Sequence, residues 1–160
     1  MIYKDEHLKE IIFPIGGIGS GSIGLRGNGQ LIDWEIFNRP AKGTLNYHSH
    51  MAIKLTIKNK TYIKILNTDL QKDLMGQYSK RVMGGYGFGP DIYTMQGFPH
   101  FRDSEFNGEF PIAEITFSDK DFPGKVILKA FNPFIPLDYE NSSLPAAFFD
   151  ISYENETDAD

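Results

Sequence analysis

Apolar and polar side chains alternate with period two along most of this chain, and Gly, Pro and Asn interrupt the alternation every few residues. A strand sends successive side chains to opposite faces, so such a pattern builds half-buried sheets rather than helices. Over 51–58, Met51, Ile53, Leu55 and Ile57 alternate with Lys54, Thr56 and Lys58. After Asn59-Lys60 the pattern resumes over 61–66, with Ile63 and Ile65 around Lys64, which predicts a hairpin closed by a two-residue polar turn. A second pair is predicted over 110–118 and 125–131, across Asp119-Lys120-Asp121-Phe122-Pro123-Gly124. Pro-Gly is strong turn chemistry, and Val126, Leu128 and Ala130 alternate beyond it with Ile127, Lys129 and Phe131.

A strand over 146–154 places Ala147, Phe149, Ile151 and Tyr153 on one face. Residues 30–37 also read as extended, with Ile32, Trp34 and Ile36 opposite Asp33 and Glu35. The one helix candidate, 68–80, is weakened by Gly76, and the Gly- and aromatic-rich stretch 84–101 reads as a long loop. Many strands and few helices predict an all-β fold, an antiparallel β-sandwich. Because 151–160 runs from a strand straight into a polar turn, the expectation is a truncated sandwich, with 1–160 forming part of one domain, and a disordered polar tail is the plainer alternative.

Composition narrows the function classes. Sixteen Gly and nine Pro supply the turns, while 13 Phe and 8 Tyr supply enough apolar bulk for a core in 160 residues. The formal charge is −5 without a basic block, which argues against nucleic acid as a partner. The absence of Cys removes disulfides, thiolate zinc sites and thiol nucleophiles together. Apolar runs are too short for a transmembrane segment, and Met1-Ile2-Tyr3-Lys4-Asp5-Glu6 lacks the apolar stretch of a secretion signal. The expected location is cytoplasmic. The sequons at Asn59, Asn141 and Asn155 are therefore read as chance matches.

Gly19-Ser20-Gly21-Ser22-Ile23-Gly24 matches the phosphate-cradling pattern G-x-G-x-x-G. That chemistry needs a helix N-terminus after the glycines to aim amides at the pyrophosphate. Here Leu25-Arg26-Gly27-Asn28-Gly29-Gln30 continues into a second turn, so a Gly-rich strand with close backbone approach is the better reading. His48 and His50 share a strand face but lack a third ligand, since His7 and His100 stand at no metal-ligand spacing, and no metal or other cofactor is expected. Asp33 and Glu35 could stand roughly 6.6 Å apart by strand rise. That lies between the separations of retaining and inverting glycosidases and selects neither. Trp34, Phe37, Tyr86, Phe88, Tyr93, Phe98 and Phe101 are candidates for stacking on a sugar ring or a neighbouring domain, with core packing expected to claim more than half.

Two long ordered motifs, Leu8-Lys9-Glu10-Ile11-Ile12-Phe13-Pro14-Ile15-Gly16-Gly17-Ile18-Gly19-Ser20-Gly21-Ser22-Ile23-Gly24 and Gly29-Gln30-Leu31-Ile32-Asp33-Trp34-Glu35-Ile36-Phe37-Asn38-Arg39-Pro40, stand near the start. With Phe110-Pro111-Ile112-Ala113-Glu114-Ile115, with Ala130-Phe131-Asn132-Pro133-Phe134-Ile135-Pro136-Leu137-Asp138 and with Ser142-Ser143-Leu144-Pro145, they resemble the N-terminal domain of glycoside hydrolase family 116. That family includes the non-lysosomal glucosylceramidases and β-glucosidases. The resemblance implies an N-terminal β-sandwich packed on a C-terminal (α/α)6 barrel that carries the catalytic Glu and Asp. It implies a retaining β-glucosidase for the whole protein, acting on a β-glucoside or glucosylceramide-like substrate. No residue of 1–160 matches the catalytic motifs, so this chain alone is expected to be inactive, with no role in catalysis for Asp33, Glu35 or Glu114. The segment 33–39 is the expected substrate-rim or domain-interface element, through Asp33, Trp34, Glu35, Asn38 and Arg39. Arg39 brings a planar fork of donors and Trp34 a large rigid face. The plainer alternatives are Trp34 in the core and Arg39 capping a turn before Pro40. Two rival functions stay open, a free-standing carbohydrate-binding sandwich and a remnant without function.

Overall fold

A computed structural model describes residues 1–46, 49–69, 95 and 97–157. Its first six strands are β1 (Ile2–Lys4), β2 (Ile12–Ile15), β3 (Gly21–Arg26), β4 (Leu31–Ile36), β5 (Ala52–Ile57) and β6 (Lys60–Thr68). Then come β7 (His100–Phe101), β8 (Asp103–Glu109), β9 (Ile112–Ser118), β10 (Lys125–Phe131) and β11 (Phe148–Glu154). A 3-10 turn spans Asp5–Lys9, and one helical turn, α1, spans Tyr139–Ser142, capped by the Asp138 carboxylate on the Asn141 amide.

One layer is a five-stranded antiparallel sheet in the order β1-β8-β9-β10-β11. The opposite layer is made of two three-stranded sheets, β2-β3-β4 and β5-β6-β7. Alternation explains the core between them. On β8, β9 and β10 the inward residues Phe106, Ala113, Ile115, Phe117, Val126, Leu128 and Ala130 are fully buried. Phe13, Ile15, Leu25, Leu31, Leu66 and Phe101 meet them from the other layer. Phe101 packs on Phe117 and Phe122 with ring centroids 5.5 and 5.0 Å apart. Tilted and edge-on aromatic pairs of this kind add about 0.5–1.5 kcal/mol each beyond their burial. The fold is an all-β, sandwich-like domain, as the periodicity predicts.

Several boundaries differ from the sequence reading, each for a physical reason. The β5–β6 hairpin turns at Lys58-Asn59, one residue earlier than expected, with Lys58 in the left-handed region at φ 53° and Ile57 opposite Lys60. Facing follows from that register. Ile53 pairs with Lys64 and Leu55 with Tyr62, so Lys64 and Tyr62 look inward while Ile63 is 54% exposed. Phe110-Pro111 forms the turn between β8 and β9 instead of opening a strand. Strand β8 was not anticipated, because only Phe106 in it is a large apolar residue. Thr68 ends β6 rather than starting a helix, and His100–Phe101 pairs with β6 in parallel, an exception to the antiparallel expectation. The rest of the predicted helix 68–80 beyond Asp69, and residues 84–94 and 96 of the predicted loop, lie outside the described residues.

Candidate functional site

The Gly-rich motif folds as a turn feeding a strand. Residues 16–20 form a loop, and β3 begins at Gly21 without any helix after it. The phosphate-binding reading is thereby excluded on geometry, since no helix N-terminus faces the glycines. Close approach explains the composition. A side-chain carbon on Gly17 would stand 2.2 Å from the Leu144 carbonyl oxygen, and one on Gly21 would stand 2.5 Å from that of Glu35. The loop is fastened on its other side by the Ile18 amide donating to the Ser142 carbonyl and the Gly16 amide donating to Asn132 Oδ1.

Strand β4 departs from simple alternation. Ser22 pairs with Glu35 and Gly24 with Ile32, so β4 carries one extra residue there. Asp33 occupies the bulge at φ 51°. Both acidic side chains bind the loop 41–44. Asp33 accepts from the Gly43 amide at 2.6 Å and from Lys42 Nζ at 3.1 Å. Glu35 accepts from the Ala41 amide at 3.3 Å and from Lys42 Nζ at 3.2 Å. Hydrogen bonds from Lys42 to Asp33 and then Glu35 hold the ammonium pKa above its ordinary value. Two carboxylates sharing one ammonium and two amides form a structural staple. They offer no free acid/base pair.

Past the bulge, Phe37 and Asn38 lie at φ 55° and 53°, and the Arg39 amide donates back to the Ile36 carbonyl. That is a type I′ turn, which matches strand twist but strains a phenylalanine. The turn presents Asn38 and Arg39 to solvent beside Glu35, and these three line an open cleft of about 320 Å³ floored by Gly17, Gly19 and Gly21. Of the five residues expected at a rim or interface, Glu35, Asn38 and Arg39 therefore share one cleft. Asp33 is buried under Lys42, and Trp34 packs half-buried against the core with its indole N–H unpartnered among the described residues. Phe101 belongs to the core, whereas Phe37 is 83% exposed and Phe98 is also exposed. Tyr86, Phe88, Tyr93 and His48 lie outside the described residues. Among the described residues no cluster of His, Asp and Glu suits a metal ion, and no helix is long and apolar enough to cross a membrane.

Sequence reasoning did not single out the adjoining apolar cleft, about 210 Å³, walled by Ile18, Phe110, Pro133 and Phe134. Its signal was present in two of the motifs carrying the family resemblance, Phe110-Pro111 and Asn132-Pro133-Phe134. The fold and this end of it define a class, a sandwich-type β-domain whose Asp33 and Glu35 carboxylates are bound to its own backbone and to Lys42. More specifically, residues 13–160 match the family model described as beta-glucosidase 2, glycosyl-hydrolase family 116, N-terminal domain, and the chain belongs to that family. No curated protein gives a significant match to the chain.

Proposed function

We propose that this chain is the non-catalytic N-terminal sandwich of a retaining β-glucosidase of glucosylceramidase-like type, working in the cytoplasm. It supports a C-terminal (α/α)6 catalytic barrel and presents 33–39 at the barrel's interface or active-site rim. The family match over 13–160 carries this reading. The Asp33–Glu35–Lys42 staple supports the non-catalytic part, because both carboxylates already have structural partners. On this reading 1–160 is one portion of a larger sandwich. The β11 strand, an edge of the five-stranded sheet, offers the flank on which further strands would add.

The test is hydrolysis of an aryl β-glucoside by the purified 160-residue chain and by the longest product encoded at its locus. Activity only in the longer product is expected. Activity in the short chain would refute the reading and return attention to Asp33 and Glu35. Inactivity in both would favour a carbohydrate-binding module or a remnant.

A further inference from the structure

Charge is spread unevenly along the chain. Residues 36–68 hold Arg39, Lys42, Lys54, Lys58, Lys60 and Lys64 without one Asp or Glu, although the whole chain carries −5. Lys54, Lys58, Lys60 and Lys64 fall on the β5–β6 hairpin and its turn. Lys64 turns inward to Asp119, and the Lys60 ammonium rests over the Tyr62 ring at 4.6 Å. Lys54 and Lys58 are exposed and have no partner among the described residues. The register puts Lys54 on the outer face opposite the exposed Ile63, next to the Thr56 and Thr61 hydroxyls, which lie 3.3 Å apart.

The same hairpin offers free backbone groups. Among the described residues β5 is the outer strand of β5-β6-β7, with nothing paired on its far side. The Leu66 amide donates to the Met51 carbonyl, and in an antiparallel ladder every second residue turns its amide and carbonyl to the partner strand. Ile53, Leu55 and Ile57 therefore bond to β6, and Ala52, Lys54 and Thr56 direct their groups outward. The Ile65 amide obeys the same alternation: it lies opposite Ala52 and points away from β5, to the Pro99 carbonyl at 2.9 Å.

Free main-chain groups and unpaired ammoniums on one edge define the occupant. We propose that β5 receives an extended acidic segment of a partner protein, added as a further strand. Hydrogen bonds at Ala52, Lys54 and Thr56 hold its backbone, and Lys54 and Lys58 meet its carboxylates. Strand addition by a second copy is opposed by the same lysines, since it sets two cationic hairpins side by side. A nucleic-acid backbone brings phosphate acceptors and leaves the edge carbonyls unanswered. The proposal stands apart from the glucosidase reading, because it uses neither cleft and no residue of 33–39.

The test uses the 160-residue chain and a short labelled peptide alternating Glu and Thr, followed by fluorescence anisotropy and by residue-resolved hydrogen exchange. Binding that weakens with added salt is expected. The Ala52, Lys54 and Thr56 amides should exchange about tenfold more slowly with peptide bound, with no change at Ile53, Leu55 and Ile57. Lys54→Glu and Lys58→Glu should each weaken binding about five- to tenfold, and Lys129→Glu in the opposite layer should leave it unchanged. A fully N-methylated peptide should not bind, because its main-chain donors are gone. Binding that survives N-methylation, or protection spread evenly along β5, would overturn the proposal. So would no binding at all, which leaves the lysines as guards of the edge. Protection of those three amides without peptide would overturn it as well: growing with concentration it marks a second copy, and confined to the longer product of the locus it marks a later segment of the same chain.

Discussion

Neutralising Asp119 should destabilise the domain more than any other single charge removal among the described residues. Its side chain has no exposed surface, and Lys64 Nζ stands 2.6 Å from Oδ2 while the Asp121 amide donates to Oδ1 at 3.0 Å. Burial pushes the Asp119 pKa up, but the hydrogen bonds from Lys64 and the Asp121 amide, with the Lys64 and Arg102 charges, outweigh it and hold the carboxyl below its ordinary value. Asp119→Asn keeps an acceptor for the amide and strands the Lys64 ammonium, whose side chain is only 17% exposed. Removing one member of a buried pair costs about 3–5 kcal/mol. Lys64 retains the His100 carbonyl at 2.7 Å and lies over the Phe101 ring at 5.7 Å. The low end of the range therefore applies, about 3 kcal/mol.

At this chain length that loss lowers Tm by about 6–12 °C. Thermal and urea unfolding of the 160-residue chain read it directly. Adding Lys64→Met should recover part of the loss by removing the stranded charge, which a cycle of single and double variants would show. The pH dependence has a definite sign. Because the folded-state pKa is depressed, the Asp119 contribution is complete above the unfolded carboxyl pKa of about 3.9 and fades as pH falls toward the folded value. The gap between wild type and Asp119→Asn should accordingly be full at neutral pH and narrow in acid. A neutral-pH difference under about 0.5 kcal/mol, the size of an ordinary surface change, would refute the reasoning.

Two further changes probe the turn and the loop. Phe37→Gly should stabilise the isolated chain by about 1 kcal/mol, since it relieves a left-handed phenylalanine whose exposed ring packs on little; a lower Tm would show that the ring is doing more than the strain costs. Gly19→Ala and Gly21→Ala should separate sharply in urea unfolding. Both sit at positive φ, but a side-chain carbon has open space at Gly19 and strikes the Glu35 carbonyl at Gly21, so only the second should exceed about 3 kcal/mol, and equal losses would contradict the packing described.

Alternation located the core strands because most of their inward residues are simply apolar. Along β6 it was only half informative, because of the two obvious hydrophobes Ile65 is buried while Ile63 is exposed, and Tyr62 and Lys64 take inward positions. A lysine reads as outward-facing until its counter-charge is known, and Asp119 lies 55 residues away in a turn. The inward lysine is tolerable only because the buried carboxylate meets it. Strand β8 escaped for a related reason. Its inward positions include Ser104 and Gly108, which carry too little apolar surface to signal burial.

The candidate site was legible only in pieces, because its walls come from three distant segments. Residues 16–22 meet 35–38 through the backbone approach at Gly21, 143–144 through that at Gly17, and Asn132 through the Gly16 amide, none of which a local pattern encodes. The role of the acids was hidden for a similar reason. Alternation puts Asp33 and Glu35 two residues apart on a strand, but their partners lie in the loop that follows, where Lys42 and the Ala41 and Gly43 amides close on both carboxylates. A pair of acids reads as a candidate for chemistry until the donors that occupy it are known, and here those donors belong to the chain's own backbone and to one lysine.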